Sequence, residues 1–158
     1  MSLLTELEKQ AVFTCTHSPF NNPIQPADKP NGFWHLTNDY QGINSASSLP
    51  HTAVSIAAKV NNAIYLSSYL CIAGLDINDM FFQCPIHLDD QAHFAYTWNG
   101  IHYTFSHLPQ GYCYSPTTAH GILASTLAEI SPSPDVSHHQ YIDDIFLADI
   151  DGNLLHKV

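Results

Sequence analysis

Three aspartates stand where a folded chain seldom leaves charge unanswered. Asp143 and Asp144 are adjacent within residues 140–148 (QYIDDIFLA), whose apolar flanks predict a β-hairpin centred on two carboxylates instead of Asn-Gly or Asp-Gly. Asp76 closes the mostly apolar run of residues 63–77, a segment that otherwise predicts a buried strand. An aspartate pair alone suits a surface turn, because Asp is a common turn residue. A third carboxylate in an apolar strand needs a partner. The basic side chains are too few to supply it: Lys9, Lys29, Lys59 and Lys157 are the whole set, and there is no arginine. A divalent cation is the economical alternative, and hard oxygen ligands favour magnesium, with manganese as a substitute, over zinc. Two such ions ~3.5–4 Å apart stabilise the attacking and leaving oxygens of an in-line displacement, so the chemistry within reach is nucleotidyl transfer.

Composition narrows the setting. Four basic residues against fourteen acidic ones give a net charge of −10 in 158 residues, and charged residues are only 11% of the chain. A typical domain carries ~25%. That balance argues against a self-sufficient nucleic-acid binder, whose basic surface supplies the non-specific affinity. The 45% hydrophobic content suffices for a core, and the length fits one domain. No run approaches the ~18 apolar residues of a membrane span, and the first ten residues lack the order of a signal peptide, so no membrane partner and a reducing, intracellular setting are expected. Cys15, Cys71, Cys84 and Cys113 are scattered without a Cys-x-x-Cys pair, which signals neither a zinc site nor a disulfide framework. Eleven histidines, adjacent only at His138-His139, lack zinc-ligand spacing as well.

The elements that must position the aspartates follow from local pattern. Residues 3–10 predict a short amphipathic helix with Thr5 and Glu8 at capping-box spacing. Residues 16–32, with Pro19, Pro23, Pro26 and Pro30, predict an extended or turning loop. A strand over 33–39 and a helix over 51–61 come next. Asn99-Gly100 between 94–98 and 101–105 predicts a type I′ hairpin. Ser115-Pro116 predicts an N-cap and first turn for a helix whose apolar face holds Ile122, Leu123, Leu127 and Ile130, stopping before Ser131-Pro132. Strands and helices alternate without repeat or linker, which predicts one α+β domain. Nothing after Asp149 could cover the last strand, so the chain looks like part of something longer.

Residues 75–82 (LDINDMFF), 108–116 (LPQGYCYSP) and 141–144 (YIDD), in this order and spacing, resemble the three palm motifs of retroviral reverse transcriptases. Residues 16–44 are similar to the family's fingers region, and 94–105 to its hairpin, so the resemblance covers nearly the whole chain, in the style of an endogenous retrovirus Pol. It implies a right-hand polymerase fold cut short before the thumb, with fingers over approximately 1–62 and 84–108 and palm over 63–83 and 109–158. It implies further that Asp76, Asp143 and Asp144 are catalytic and bind two Mg2+ ions. Phe81 would be the steric gate against a ribose 2′-hydroxyl, and Lys29, Asp79, Met80, Phe81 and Gln110 would contact the incoming nucleotide. The implied partners are an RNA or DNA template with its primer and dNTPs, together with the thumb, connection and ribonuclease H segments of a longer Pol, in cytoplasm or a virus-like particle.

The sequence departs from that family at informative places. Where the family writes WRLTVDYRGIN, residues 34–44 put His35 and Gln41 in place of two arginines, the first being the family's triphosphate clamp, and Asp28 replaces a basic residue. Charge-assisted phosphate contacts are thereby lost. Two functional classes are compatible with this pattern: an RNA-directed DNA polymerase fragment, and an inactive or domesticated remnant acting through protein contacts.

Overall fold

The structure, a computed structural model, describes residues 11–28, 34–48, 69, 71–130 and 136–149, with residues 25–28 and 34–36 described by their backbone alone. The helices expected at 3–10 and 51–61, and Lys29, lie outside the described residues. In chain order the elements are β1 (Phe13–Cys15), β2 (Ile24–Asp28), β3 (Trp34–Asn38), α1 (Gln41–Ala46), β4 (Cys71–Asp76), a 3₁₀ turn (Met80–Gln83), α2 (Leu88–Gln91), a second 3₁₀ turn (Ala92–Phe94), β5 (Ala95–Trp98), β6 (Ile101–Phe105), α3 (Ser115–Glu129), β7 (Val136–Tyr141) and β8 (Asp144–Asp149). Helix and strand are mixed, as the alternation predicts. The chain gathers into two compact units, residues 1–50 with 81–115 and residues 51–80 with 116–158.

The first unit is built on an aromatic core. Its three-stranded sheet runs β1-β6-β5, and β2 pairs only with β3. Asn99 and Gly100 take φ of 49° and 77°, the double positive φ of a type I′ turn, and set the register Trp98↔Ile101 and Tyr96↔Tyr103. That register delivers Tyr96 and Phe105 to one cluster with Val12, Phe13, Tyr40 and Phe94, all 5% exposed or less. Phe13 meets Tyr96, Tyr103 and Phe105 edge-on, and Phe82 stacks on Phe105. Strand β2 occupies part of the expected loop. Pro26 is tolerated there because β2 has a neighbour on one side only, where a missing N–H costs least.

The second unit carries a three-stranded antiparallel sheet in the order β4-β8-β7. Its register places Ile72, Gly74, Asp76, Asp144, Phe146, Ala148, Tyr141, His139 and Ser137 on one face. Leu75, Ile145, Leu147, Gln140 and His138 lie on the other. Helix α3 begins at Ser115 and ends at Glu129, as expected. Two details differ. The Ser115 hydroxyl donates to the Pro109 carbonyl at 2.7 Å instead of capping the helix, because that carbonyl is buried and needs a donor. Ile122 and Ile130 are exposed, while Ala119 is fully buried. Strand β4 is also not the buried strand its sequence suggests, since Ile72 and Leu75 are about half exposed. Among the described residues no helix is long and apolar enough to cross a membrane.

Candidate functional site

The second unit brings the three aspartates into one neighbourhood. Asp76 is the last residue of β4 and stands directly opposite Asp144, the first residue of β8. Direct cross-strand partners share a face with Cβ atoms ~4.5–5.5 Å apart, and like charges in that relation destabilise the sheet. The hairpin joining β7 to β8 has Ile142 and Asp143 as its two central residues, with Tyr141 opposite Asp144. The expected centre, Asp143-Asp144, is therefore shifted by one residue. The reason is that Asp144 is committed to the ladder with Asp76 and Tyr141, which leaves only Asp143 in the turn.

The turn is strained and pinned. Ile142 has φ of 52°, an outlier for a β-branched residue, whereas Asp143 does not adopt positive φ. One positive value at the first central position is the type II′ pattern, where glycine is usual, and a non-glycine residue there costs of order 1–3 kcal/mol. The Asp143 carbonyl accepts from the Ile77 N–H at 3.0 Å, which ties the turn to the residue after Asp76. The Gln140 side chain holds the carbonyl before it, at Ile142.

As for the donor set, Asp76 is exposed and Asp143 and Asp144 are half-buried. None of the three has a salt bridge among the described residues, where the one ion pair is His87 with Asp89. No group of three or more His, Cys, Asp or Glu side chains among the described residues is already gathered as a metal cluster. The backbone register and the Ile77–Asp143 hydrogen bond are what bring the three residues near one another.

Other expected site residues take different surroundings. Asp79 has φ of 52° and its carboxylate accepts from the Asn78 amide at 3.1 Å. Met80 is buried. Phe81 is half-buried in the first unit, and the neighbouring aromatic that stacks on the core is Phe82. Gln110 is half-buried between fixed points in the same unit. Gly111 holds a φ of 93° that favours glycine, and a Cβ there would sit tightly, 3.3 Å from the Asn38 carbonyl. The Asn44 side chain clasps the same loop, donating to the Gly111 carbonyl at 3.0 Å and accepting from the Cys113 N–H at 2.9 Å. Asn44 was missed in the sequence. Its place in α1, facing a loop some seventy residues onward in sequence, leaves no local pattern to find it by.

The architecture is that of part of a viral reverse transcriptase: it superposes on the crystal structure of prototype foamy virus protease-reverse transcriptase with TM-score 0.81 and 30% identity, covering 98% of this chain and 20% of that one. The foamy viral protease-reverse transcriptase in complex with dsDNA gives TM-score 0.76 at 27% identity, covering 98% and 31%. Residues 27–151 match the family model for reverse transcriptase (RNA-dependent DNA polymerase), and the chain belongs to that family. It is 34% identical over 155 residues to the Gag-Pol polyprotein of Walleye dermal sarcoma virus, and 31% over 146 residues to the Pro-Pol polyprotein of Simian foamy virus type 1. It spans 96% and 92% of its own length in these matches, but only 9% and 12% of the two polyproteins.

Proposed function

We propose that this chain is the fingers–palm portion of an RNA-directed DNA polymerase within a retroviral Pol polyprotein, adding dNTPs to a primer 3′-hydroxyl on an RNA or DNA template. The fingers would be approximately residues 1–62 and 84–108 and the palm approximately 63–83 and 109–158, bounds that overlap most of the first and of the second compact unit respectively. The observation that carries the reading is the cross-strand opposition of Asp76 and Asp144, with Asp143 next to them in a strained turn. Like charges directly opposed in a ladder lower stability unless something gathers them. Two magnesium ions, or manganese, are the matching partners for a set made only of hard carboxylate oxygens. When bound, they supply charge stabilisation at the attacking and leaving oxygens.

This chain's own residues would divide the remaining work. Asp76, Asp143 and Asp144 orient the ions by holding carboxylates at strand ends that the Ile77–Asp143 hydrogen bond keeps together. Phe81, half-buried and outside the aromatic core cluster, would close against a ribose 2′-hydroxyl. Lys29, the backbone of Asp79 and Met80, and Gln110 would meet the triphosphate, sugar and base. Support for duplex binding comes from the solved relatives, one of them a foamy viral protease-reverse transcriptase in complex with RNA/DNA hybrid, matched at TM-score 0.71. An endogenous origin is supported by His35 and Gln41, because arginine codons of the CG type decay by cytosine deamination to His and Gln codons. The compartment that follows is cytoplasm or a virus-like particle.

Magnesium titration of the full chain by calorimetry or NMR tests the site. Asp143→Asn should weaken binding, and equal affinity in both proteins would remove the assignment. In a chimera carrying the thumb of a related polymerase, Phe81→Val should raise ribonucleotide relative to deoxynucleotide incorporation, and unchanged discrimination would return Phe81 to packing.

A further inference from the structure

Beneath the carboxylate face, one neutral side chain bonds to the central peptide of the turn. Gln140 lies on the opposite face of the sheet from Asp76 and Asp144. Its Nε2 donates to the Ile142 carbonyl at 3.0 Å and to the His120 carbonyl of α3 at 3.1 Å. Both partners are pure acceptors, so the amide orientation is fixed by chemistry and both of its N–H bonds are used.

The Ile142 carbonyl belongs to the central peptide of the turn. Types I′ and II′ differ in the orientation of that one peptide: I′ requires positive φ at both central residues, and II′ only at the first. Here Ile142 alone is positive. The Gln140 hydrogen bond holds the peptide in the II′ sense, and with it the φ of Asp143 and the direction in which the Asp143 carboxylate leaves the backbone. The second hydrogen bond anchors the clamp to α3, so the turn is set against a helix instead of against its own flexible strand. The Ile77–Asp143 hydrogen bond ties the peptide after Asp143, so the Gln140 contact is the one that acts on the central peptide, where the strain at Ile142 would be released.

We infer that Gln140 is a positioning residue for the Asp143 carboxylate, acting through the Ile142 peptide from the face opposite the cation side. The inference rests on the proposed cation-binding role of Asp143. Gln140 itself cannot reach the cation, because its amide is spent on two carbonyls below the sheet.

The test is Mn2+ binding to the full chain, read by paramagnetic resonance of free ion, for wild type, Gln140→Met and Asp143→Asn, each well below its own melting midpoint. Methionine keeps the length and volume and deletes the donors. Gln140→Met should weaken Mn2+ binding three- to tenfold and reduce the cation-induced rise in melting midpoint. A merely structural role would lower the midpoint and leave the affinity of the folded protein at the wild-type value, and that result overturns the inference. Asp143→Asn separates the two levels: if it leaves Mn2+ affinity unchanged, the site reading itself fails. Should Gln140→Met not fold, Gln140→Asn, with an amide one methylene too short to span both carbonyls, provides the same comparison, weakened affinity supporting the clamp and wild-type affinity overturning it.

Discussion

The two compact units spend their residues differently. The first buries Val12, Phe13, Tyr40, Phe94, Tyr96 and Phe105 in one cluster of interlocking rings, and its sheet is closed by an ideal Asn-Gly turn. The second sets a like-charged pair across its ladder, puts isoleucine where glycine belongs, and leaves Ile72 and Leu75 of β4 open. Local rules are broken in both, but the first unit's exceptions, Ala11 at φ of 54° and Pro26 in an edge strand, lie outside its ring cluster, whereas the second's include the carboxylate hairpin. Functional sites are where such rules are expected to fail, because the arrangement that holds reactive groups is not the one that relaxes them. The contrast sets a unit organised around packing against one that holds like charges and a positive-φ isoleucine under tension, and in the proposed reading the second is where the chemistry is kept.

The largest test of that division is Phe105→Ala. Removing a ring that contacts Phe13, Tyr96 and Phe82 should cost roughly 3–5 kcal/mol, as large core truncations do. Denaturant unfolding followed by NMR should show the first unit lost. A cost below about 1 kcal/mol would mean that the ring cluster is not what holds this unit together.

The next effect bears on whether the scaffold also contributes chemistry. In the thumb-completed chimera, His35→Arg should restore a charge-assisted phosphate contact of about 1.5–3 kcal/mol, lowering the apparent KM for dNTPs roughly ten- to a hundredfold. Gln41→Arg should do less, since only residue 35 stands where the family has its triphosphate clamp. Equal effects from both would place residue 35 away from the triphosphate.

A smaller effect, of opposite sign in two conditions, probes the second unit. Asp76→Asn removes the repulsion with Asp144, so without divalent ions the variant should be more stable than wild type by about 0.2–1 kcal/mol. With magnesium added, wild type should gain stability and the variant should gain little. A variant less stable than wild type in chelator would show that the pair is not under electrostatic tension.

How far the sequence announced this structure depends on whether a signal was local. The β5–β6 hairpin was legible because Asn99-Gly100 states its own backbone angles, and the end of α3 because Ser131-Pro132 terminates a helix. The three aspartates were legible because a charge in an apolar run is conspicuous. Strand β1, three residues long, is too short for any period to appear. Strand β2 was hidden by Pro26, which marks loops except at a sheet edge. The turn centre was misplaced by one residue because Asp-Asp is a better local turn than Ile-Asp. Only the pairing of Asp144 with Asp76, some seventy residues away, overrules that preference. The Asn44 and Gln140 clamps were invisible for the same reason: each joins a side chain to carbonyls that only tertiary structure brings near.

The smallest effect returns to the scaffold and is read as a slope. Cys84 is 4% exposed, and burial pushes its thiol above the ordinary value of 9.0. The folded chain therefore keeps this proton where the unfolded chain has lost it, so stability is fully present below pH 9.0 and declines as pH rises toward the folded value. Burial raises the Tyr40 phenol in the same sense, but its contribution starts only above its ordinary 10.0. Between those two values the thiol acts ahead of the phenol. Unfolding free energies from urea melts across that window should fall with pH in wild type by less than the limit of about 1.4 kcal/mol per pH unit for one whole proton. In Cys84→Ala the fall should be shallower, whatever the variant loses in packing at neutral pH, because alanine has no proton to hold. An identical slope in the two proteins would show that Cys84 reaches solvent when the chain is folded, and that the aromatic scaffold is looser at this edge than its buried rings imply.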